Sequence, residues 1–194
     1  HLFEEAVQAG VTIEKIFALE NYRDQLTTFP QTVWVSEDIL LDLADSQTPQ
    51  GIVAVVQKEE VGQADFSQGK FLFLEDVQDP GNVGTIIRTA DAAGFTGVIV
   101  SDKSADIYSF KTLRSMQGSH FHLPIYRMSS QAILEKAKKE GIPVLATTLS
   151  KDSVDYRELS SIETFVLVMG NEGQGISPLM AESADQLVHI SMKG

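Results

Sequence analysis

Between residues 70 and 191 the chain returns six times to short, almost uninterrupted apolar runs: FLFLEDV, GVIVS, FHLPIY, PVLATTL, FVLVMG and QLVHIS. A strand with one wet face alternates apolar and polar side chains, whereas a strand covered on both faces has no need to. Runs of this kind, with helical patterns between several of them, predict an α/β fold on a parallel or mostly parallel sheet. The clearest crossover is SSQAILEKAKKEGIP, where Ser129 or Ser130 starts a helix, Gly141 ends it and Pro143 lies just beyond.

The front of the chain reads as a small α/β domain of its own. Its pattern predicts a helix over 2–9, strands over 15–19 and 32–35, a helix over 36–44 and a strand over 51–57. Ser36 is a suitable N-cap, with Glu37 and Asp38 in the first turn where the helix dipole favours negative charge. QKEEVGQADFSQGK then turns polar and glycine-bearing, as a linker or exposed crossing would, which sets the boundary near 60–69. The expected division is a front domain over 1–62 and a larger one over 70–194; a chain of 194 residues, 43% hydrophobic, can bury a core in each.

Charge bears on the partner. The net charge of −12 opposes phosphate binding, which draws on Lys and Arg. Its distribution is uneven, with 3 basic and 12 acidic residues in 1–69 against 12 and 15 in 70–194. From 103 to 127 the chain carries Lys103, Lys111, Arg114 and Arg127 against Asp106 alone, a candidate cationic patch on an acidic chain. Zero cysteines exclude a disulfide scaffold and a thiolate metal site. No run approaches bilayer length and HLFEEAVQAG has none of the features of a signal peptide, so the chain reads as soluble and cytoplasmic, with no membrane partner.

In parallel sheets ligands bind beyond the carboxyl ends of strands, which directs attention to two turns. The first is Asp79-Pro80-Gly81-Asn82, leading into a helix with the apolar stripe Val83, Ile86, Ile87 and Ala90 and a terminator at Gly94-Phe95. Arg88 lies about 140° from that stripe, so packing does not require it. The second is VMGNEGQGIS, where Gly170, Gly173 and Gly175 let the backbone bend and approach a ligand with free N–H groups. Its spacing matches neither a P-loop nor a dinucleotide fingerprint, and Glu172 would repel a phosphate; a neutral or cationic ligand, or a hydroxyl to be oriented, suits it better. His120 and His122 share a strand face without a third metal ligand, and no G-x-S-x-G elbow supports a hydrolase triad, so packing or surface roles suffice.

Together these stretches resemble the SpoU class of RNA ribose 2′-O-methyltransferases of the SPOUT superfamily. DVQDPGNVGTIIRTADAAGF is similar to that family's first motif, FVLVMGNEGQGIS to its second, ADQLVHISMKG to the opening of its third, and KTLRSMQGSHFHLPI to the segment between the first two. HLFEEAVQAG and SEDILLDLADSQTPQGIVAVV resemble the ribosomal-protein-like substrate-binding domain often fused in front. The resemblance implies a deep trefoil knot, S-adenosylmethionine bound in it, a homodimer that completes the site, and methyl transfer to a ribose 2′-hydroxyl. By position it makes Asn82, Arg88 and Glu172 the polar active-site residues and places Gly170, Asn171, Gly173, Ile190 and Met192 at the cofactor, with Thr147 or Thr148 at a neighbouring strand end. The family pattern continues beyond Gly194 and has a basic leader before His1, so both domains are expected to be incomplete at these ends.

The chemistry this implies calls for no metal, because the methyl donor is already activated. A 2′-hydroxyl acceptor selects RNA over DNA. Arg88 would anchor an RNA phosphate and stabilise charge developing on oxygen. A guanidinium holds its proton tightly, which leaves the proton acceptor open. Glu172 would orient the hydroxyl or hold its loop, and Asn82 would position loop or ribose or serve as a helix N-cap. The expected substrate is ribosomal RNA, with transfer RNA, or a non-catalytic RNA-binding protein of the same fold, as alternatives.

Overall fold

The computed structural model describes residues 1–44, 48–58 and 61–191. The chain divides into two compact units, residues 1–60 and 61–194.

In the front unit, α1 (Leu2–Gln8) leads to β1 (Ile13–Ala18), followed by a 3₁₀ turn at Glu20–Gln25, β2 (Thr32–Trp34), α2 (Glu37–Leu43) and β3 (Ile52–Val56). The sheet order is β2-β1-β3, with β1 parallel to β2 and antiparallel to β3. Ile16, Ala18 and Leu26 form its buried centre, with Phe3, Phe29 and Trp34 packed around them. Ser36 caps α2 as its position predicts. The 3₁₀ turn carries no apolar repeat; it brings Arg23 over the Trp34 ring, 4.6 Å from the centroid.

The second unit runs β4 (Lys70–Leu74), α3 (Pro80–Ala92), β5 (Gly97–Val100), α4 (Phe110–Met116), β6 (Ile125–Arg127), α5 (Ser130–Glu140), β7 (Val144–Thr147), β8 (Val154–Asp155), β9 (Phe165–Met169), α6 (Pro178–Ser183) and β10 (Gln186–His189). Among the described residues its sheet has seven strands in the order β6-β5-β4-β9-β7-β10-β8, every pairing parallel. β9 enters between the earlier strands β4 and β7, and β10 between the earlier β7 and β8.

The uninterrupted apolar runs are explained by the two cores. Phe71 and Phe73 of β4 face Ile133 and Ala137 of α5 and Met180 of α6, while Leu72 and Leu74 face Val83, Ile87 and Ala90 of α3 and Met116 of α4. Every residue of the strand except the first is buried, so polar alternation would place a polar group in one core or the other.

Three expected spans differ. FLFLEDV stops as a strand at Leu74, because Asp76 adopts φ 58° and turns the chain out of the ladder. FHLPIY is a strand only in its last residues, Ser119–Phe121 forming a 3₁₀ turn after the left-handed pair Gln117 and Gly118. The end of the supposed linker belongs to the core: Phe66 is fully buried against Phe71, its N–H donating to Glu140 and Lys136 lying over its ring. Two apolar side chains, Ala64 and Phe66, were masked by polar neighbours.

Candidate active site

Parallel strands share one end for their carboxyl termini, and β4 is where the strand order reverses. From β4 the chain moves outward to β5 and β6, while the later β9 lies on its other side. A crevice opens at such a switch point. The bend after β4, residues 75–82, sits there between the 170–177 turn after β9 and the 101–111 segment after β5.

Asp79 begins α3, its carboxylate accepting from Asn82 N–H at 2.9 Å with Pro80 in the first turn. Asn82 is therefore not the N-cap; the fixed φ of Pro80 starts the helix three residues earlier, with Asp79 as the cap. That releases the Asn82 side chain, whose amide donates to Glu172 Oε1 at 3.0 Å. Glu172 also accepts from Gln78 N–H and Asp79 N–H, each at 3.2 Å. Loss of water around the carboxylate opposes ionisation, but the Asn82 amide and the backbone N–H groups outweigh it and hold Glu172 below the ordinary glutamate value. Both carboxylate oxygens of Glu172 are thus used to hold the bend.

The turn after β9 is closed on itself. Asn171 and Gly175 exchange both backbone hydrogen bonds at 2.9 Å, and Asn171 Oδ1 accepts from the N–H groups of Gly173 and Gln174. The Asn171 amide donates to the Asp76 carbonyl at 2.8 Å. The N–H groups of Gly173 and Gly175, expected to be free for a ligand, are therefore engaged within the turn, and Asn171 shapes it. Glycine at 170 is needed for a different close approach: a Cβ there would stand 2.3 Å from the Gly175 carbonyl carbon.

Glu75 gave no signal in sequence beyond being a charge at the end of an apolar run. It is 3% exposed and accepts from Ser177 N–H at 2.8 Å, Ser177 Oγ at 2.7 Å and Ser130 Oγ at 2.5 Å. A buried carboxylate needs such donors. Ser129 caps α5, which leaves Ser130 for Glu75. Glu75, Asp76, Gln78, Asp79 and Asn82 together bind the bend after β4 to the turn after β9.

Arg88 is exposed on α3, and no hydrogen bond or ion pair joins its guanidinium to another described residue. It lies six positions beyond Asn82, about 9 Å along the helix. Among the three polar residues grouped by motif, it alone is uncommitted.

The remaining candidates lie at neighbouring strand ends. The Thr147 hydroxyl donates to the Val168 carbonyl at 2.9 Å and Thr148 N–H to the Val188 carbonyl at 2.9 Å, tying β7 to β9 and β10. Beyond them Leu149 and Ile190 are 81% and 56% exposed. Asp155 accepts from Ser191 Oγ and, with both oxygens, from Arg157, which together hold its carboxyl far below the usual range. Met192 lies outside the described residues.

The four basic side chains do not make an unopposed patch. Lys103 stands 3.6 Å from Asp76, Lys111 2.8 Å from Asp79, and Arg127 4.0 Å from Asp102 while donating to the Ser101 carbonyl. A count over 103–127 meets Asp106 alone: it stops one residue short of Asp102, and Asp76 and Asp79 arrive from another loop. A cleft of ≈ 800 Å³ between α5, α6 and the start of β7 lies at the amino ends of the strands and includes none of the candidate residues. Among the described residues no group of three or more His, Cys, Asp or Glu could hold a metal, and no helix is long and apolar enough to cross a membrane.

Comparison with known proteins gives the same reading over both units. Residues 69–194 match the SpoU rRNA methylase family, and residues 1–62 match the RNA 2′-O ribose methyltransferase substrate-binding family. The chain is 38% identical over 196 residues to the 23S rRNA (guanosine(2553)-2′-O)-methyltransferase RlmP of Bacillus subtilis, covering 100% of this chain and 78% of that protein. Among solved structures, the AdoMet-bound rRNA methyltransferase of Sinorhizobium meliloti superposes with a TM-score of 0.88 at 31% identity, covering 100% of this chain and 76% of the other. The SpoU methyltransferase AviRb of Streptomyces viridochromogenes with AdoMet gives 0.82 at 28% identity, covering 100% and 79%. This chain belongs to the SpoU rRNA methylase family.

Proposed function

We propose that this chain transfers a methyl group from S-adenosylmethionine to a ribose 2′-hydroxyl of ribosomal RNA in the cytoplasm, as a homodimer whose front unit, residues 1–62, engages the RNA. The observation that carries the reading is the latch at the β4/β9 switch point, with Arg88 left free on the helix that leads out of it. A site for displacement at a ribose oxygen needs a rigid frame and one uncommitted cation for charge on oxygen or phosphate.

The residues present fit the cofactor. Exposed apolar side chains, Leu149 and Ile190, stand at the carboxyl ends of the adjacent strands β7 and β10, and would suit the apolar faces of an adenosine group. Thr147, Thr148, Gly170 and Ile190 would hold it, with Asn171 and Gly173 shaping the turn beside it. S-adenosylmethionine would supply a methyl group already activated on a sulfonium, the thioether leaving as the ribose oxygen takes the methyl and the hydroxyl proton passes to solvent, so the reading calls on no metal. Glu172 and Asn82 fix the bend, and Arg88 grips an RNA phosphate and stabilises the developing oxyanion. Lys103, Lys111, Arg114 and Arg127 supply cations near the RNA backbone. The entry of β9 and β10 between earlier strands supports a chain path threaded as a deep trefoil knot.

The test is transfer of labelled methyl to rRNA, with ribose methylations mapped in cells with and without the gene. Loss of one rRNA 2′-O-methyl mark in the deletion supports the reading. An unchanged map together with no cofactor heat in calorimetry would sink it.

A further inference from the structure

The 101–111 segment is stitched to the bend after β4 along its length. Ser101 Oγ accepts from Asp76 N–H at 2.9 Å and donates to Asp76 Oδ1 at 2.7 Å; Ser104 Oγ accepts from Val77 N–H at 3.2 Å. Ala105 N–H donates to the Val77 carbonyl at 2.9 Å, and Lys111 closes the set on Asp79. The segment is braced internally as well. Asp106 accepts from Tyr108 N–H at 2.9 Å through its side chain and from Ser109 N–H and the Thr112 hydroxyl through its carbonyl, while Ser109 caps α4.

A backbone held this firmly could have turned its large apolar side chains inward, as it does Ile107, 8% exposed. Instead Tyr108 is 38% and Phe110 53% exposed. Phe110 and Arg114 are four apart on α4 and so share a face, and Lys111, with its side chain 60% exposed, lies between them in sequence. The opposite face of α4 is consumed by packing: Thr112 and Met116 are buried, and a Cβ on Gly84 of α3 would stand 2.6 Å from the Thr112 carbonyl.

We infer that Tyr108 and Phe110, rimmed by Lys103, Lys111 and Arg114, form a stacking shelf for unpaired RNA bases flanking the target nucleotide. The inference rests on the proposed function and names its substrate class: a loop or bulge, not continuous duplex. Rings beside cations suit bases joined by phosphates, since every base offers a π-face on which an aromatic ring can stack. On this reading the labour is divided at the bend: the β9 side would present its turn to the cofactor, and the β5 side would receive the neighbours of the ribose to be modified.

The experiment uses the whole protein and an RNA stem–loop carrying 2-aminopurine at unpaired positions, whose fluorescence reports stacking and needs no methyl transfer. Wild-type protein should quench it. Phe110→Ala and Tyr108→Ala should each relieve the quench and lower stem–loop affinity about tenfold, with duplex affinity and cofactor heat unchanged. Phe110→Trp should restore both; Phe110→Leu, apolar without a strong stacking face, should not. Equal losses on stem–loop and duplex, a quench that survives both alanine changes, or a dimer that dissociates on sedimentation of Phe110→Ala in step with lost RNA affinity would each overturn the shelf. Wild-type protein that quenches without methylating would sink the enzymatic reading and support the shelf; methylation without quenching does the reverse.

Discussion

Asn82 and Arg88 lie on the same helix and in the same motif, yet the structure treats them oppositely. The Asn82 amide is bonded to Glu172, which in turn is filled by two backbone N–H groups. Arg88, a turn and a half further on, is exposed and uncommitted. A polar group already satisfied by the protein must break something to serve a substrate, whereas an unsatisfied one has only water to lose. The difference separates, within one sequence motif, a side chain spent on the fold from one left available.

The sharpest way to break that comparison is Arg88→Ala. Methyl transfer should fall about a hundredfold or more, as when a stabilising group is removed from the reacting centre. Thermal stability should stay within about 0.5 kcal/mol of wild type, because an exposed side chain without partners is lost. Labelled-methyl turnover and calorimetric unfolding read the two quantities, and a strongly destabilised Arg88→Ala would erase the distinction.

Glu172→Ala should show the reverse balance. It removes the acceptor shared by Gln78 N–H, Asp79 N–H and the Asn82 amide; these donors are exposed and water can replace the carboxylate, so the cost is about 0.5–1.5 kcal/mol in unfolding free energy. Adding Asn82→Ala should cost little more, since the partner is already gone; additive losses would show that Asn82 acts outside the latch. The pH dependence has a definite sign. With its folded value held below the ordinary 4.5, ionised Glu172 contributes stability that is fully present above that pH and is lost as pH falls through the lowered value.

How far this was legible in the sequence follows the range of each interaction. Unbroken strand hydrophobicity, the Ser36 and Ser129 caps and the Gly94 and Gly141 terminators depend on neighbours a few residues away, and the strand order then carries the parallel sheet. The latch joins residues about 90 positions apart, so Glu172 could be singled out by motif but not assigned its partners. Glu75 escaped for the same reason: its donors come from Ser130 and Ser177, and a lone carboxylate at a strand end has no local signature. Phe66 escaped because its covering groups, Lys136 and Glu140, lie on a distant helix. The cationic patch misled in the opposite direction, since counting charges along 103–127 omits the carboxylates of Asp76 and Asp79 that fold against it.

That local neutralisation makes a smaller prediction about the two sides of the bend. Neutralising Lys103, Lys111, Arg114 and Arg127 together should flatten the dependence of RNA affinity on salt by fewer than the four contacts a fully free cluster would add at about 0.7–0.9 per phosphate. A change matching four full contacts would mean that RNA displaces Asp76 and Asp79 from their lysines. No change would remove the cluster from RNA binding.

The smallest effect lies just past α4, at His120. Its Nδ1 is buried without a hydrogen-bond partner. Burial, and then the neighbouring His122, push its pKa down from 6.5 to about 4. The unfolded chain therefore binds a proton that the folded one refuses between those values, and the contribution to stability is full above pH 6.5 and falls as pH drops towards 4. The slope from one such group is at most about 1.4 kcal/mol per pH unit. His120→Phe removes both the proton and the unpaired nitrogen, so unfolding midpoints followed from pH 7 to 4.5 should decline less steeply than in wild type. Parallel curves would mean that the imidazole finds a partner in solution and that the turn after α4 opens to water.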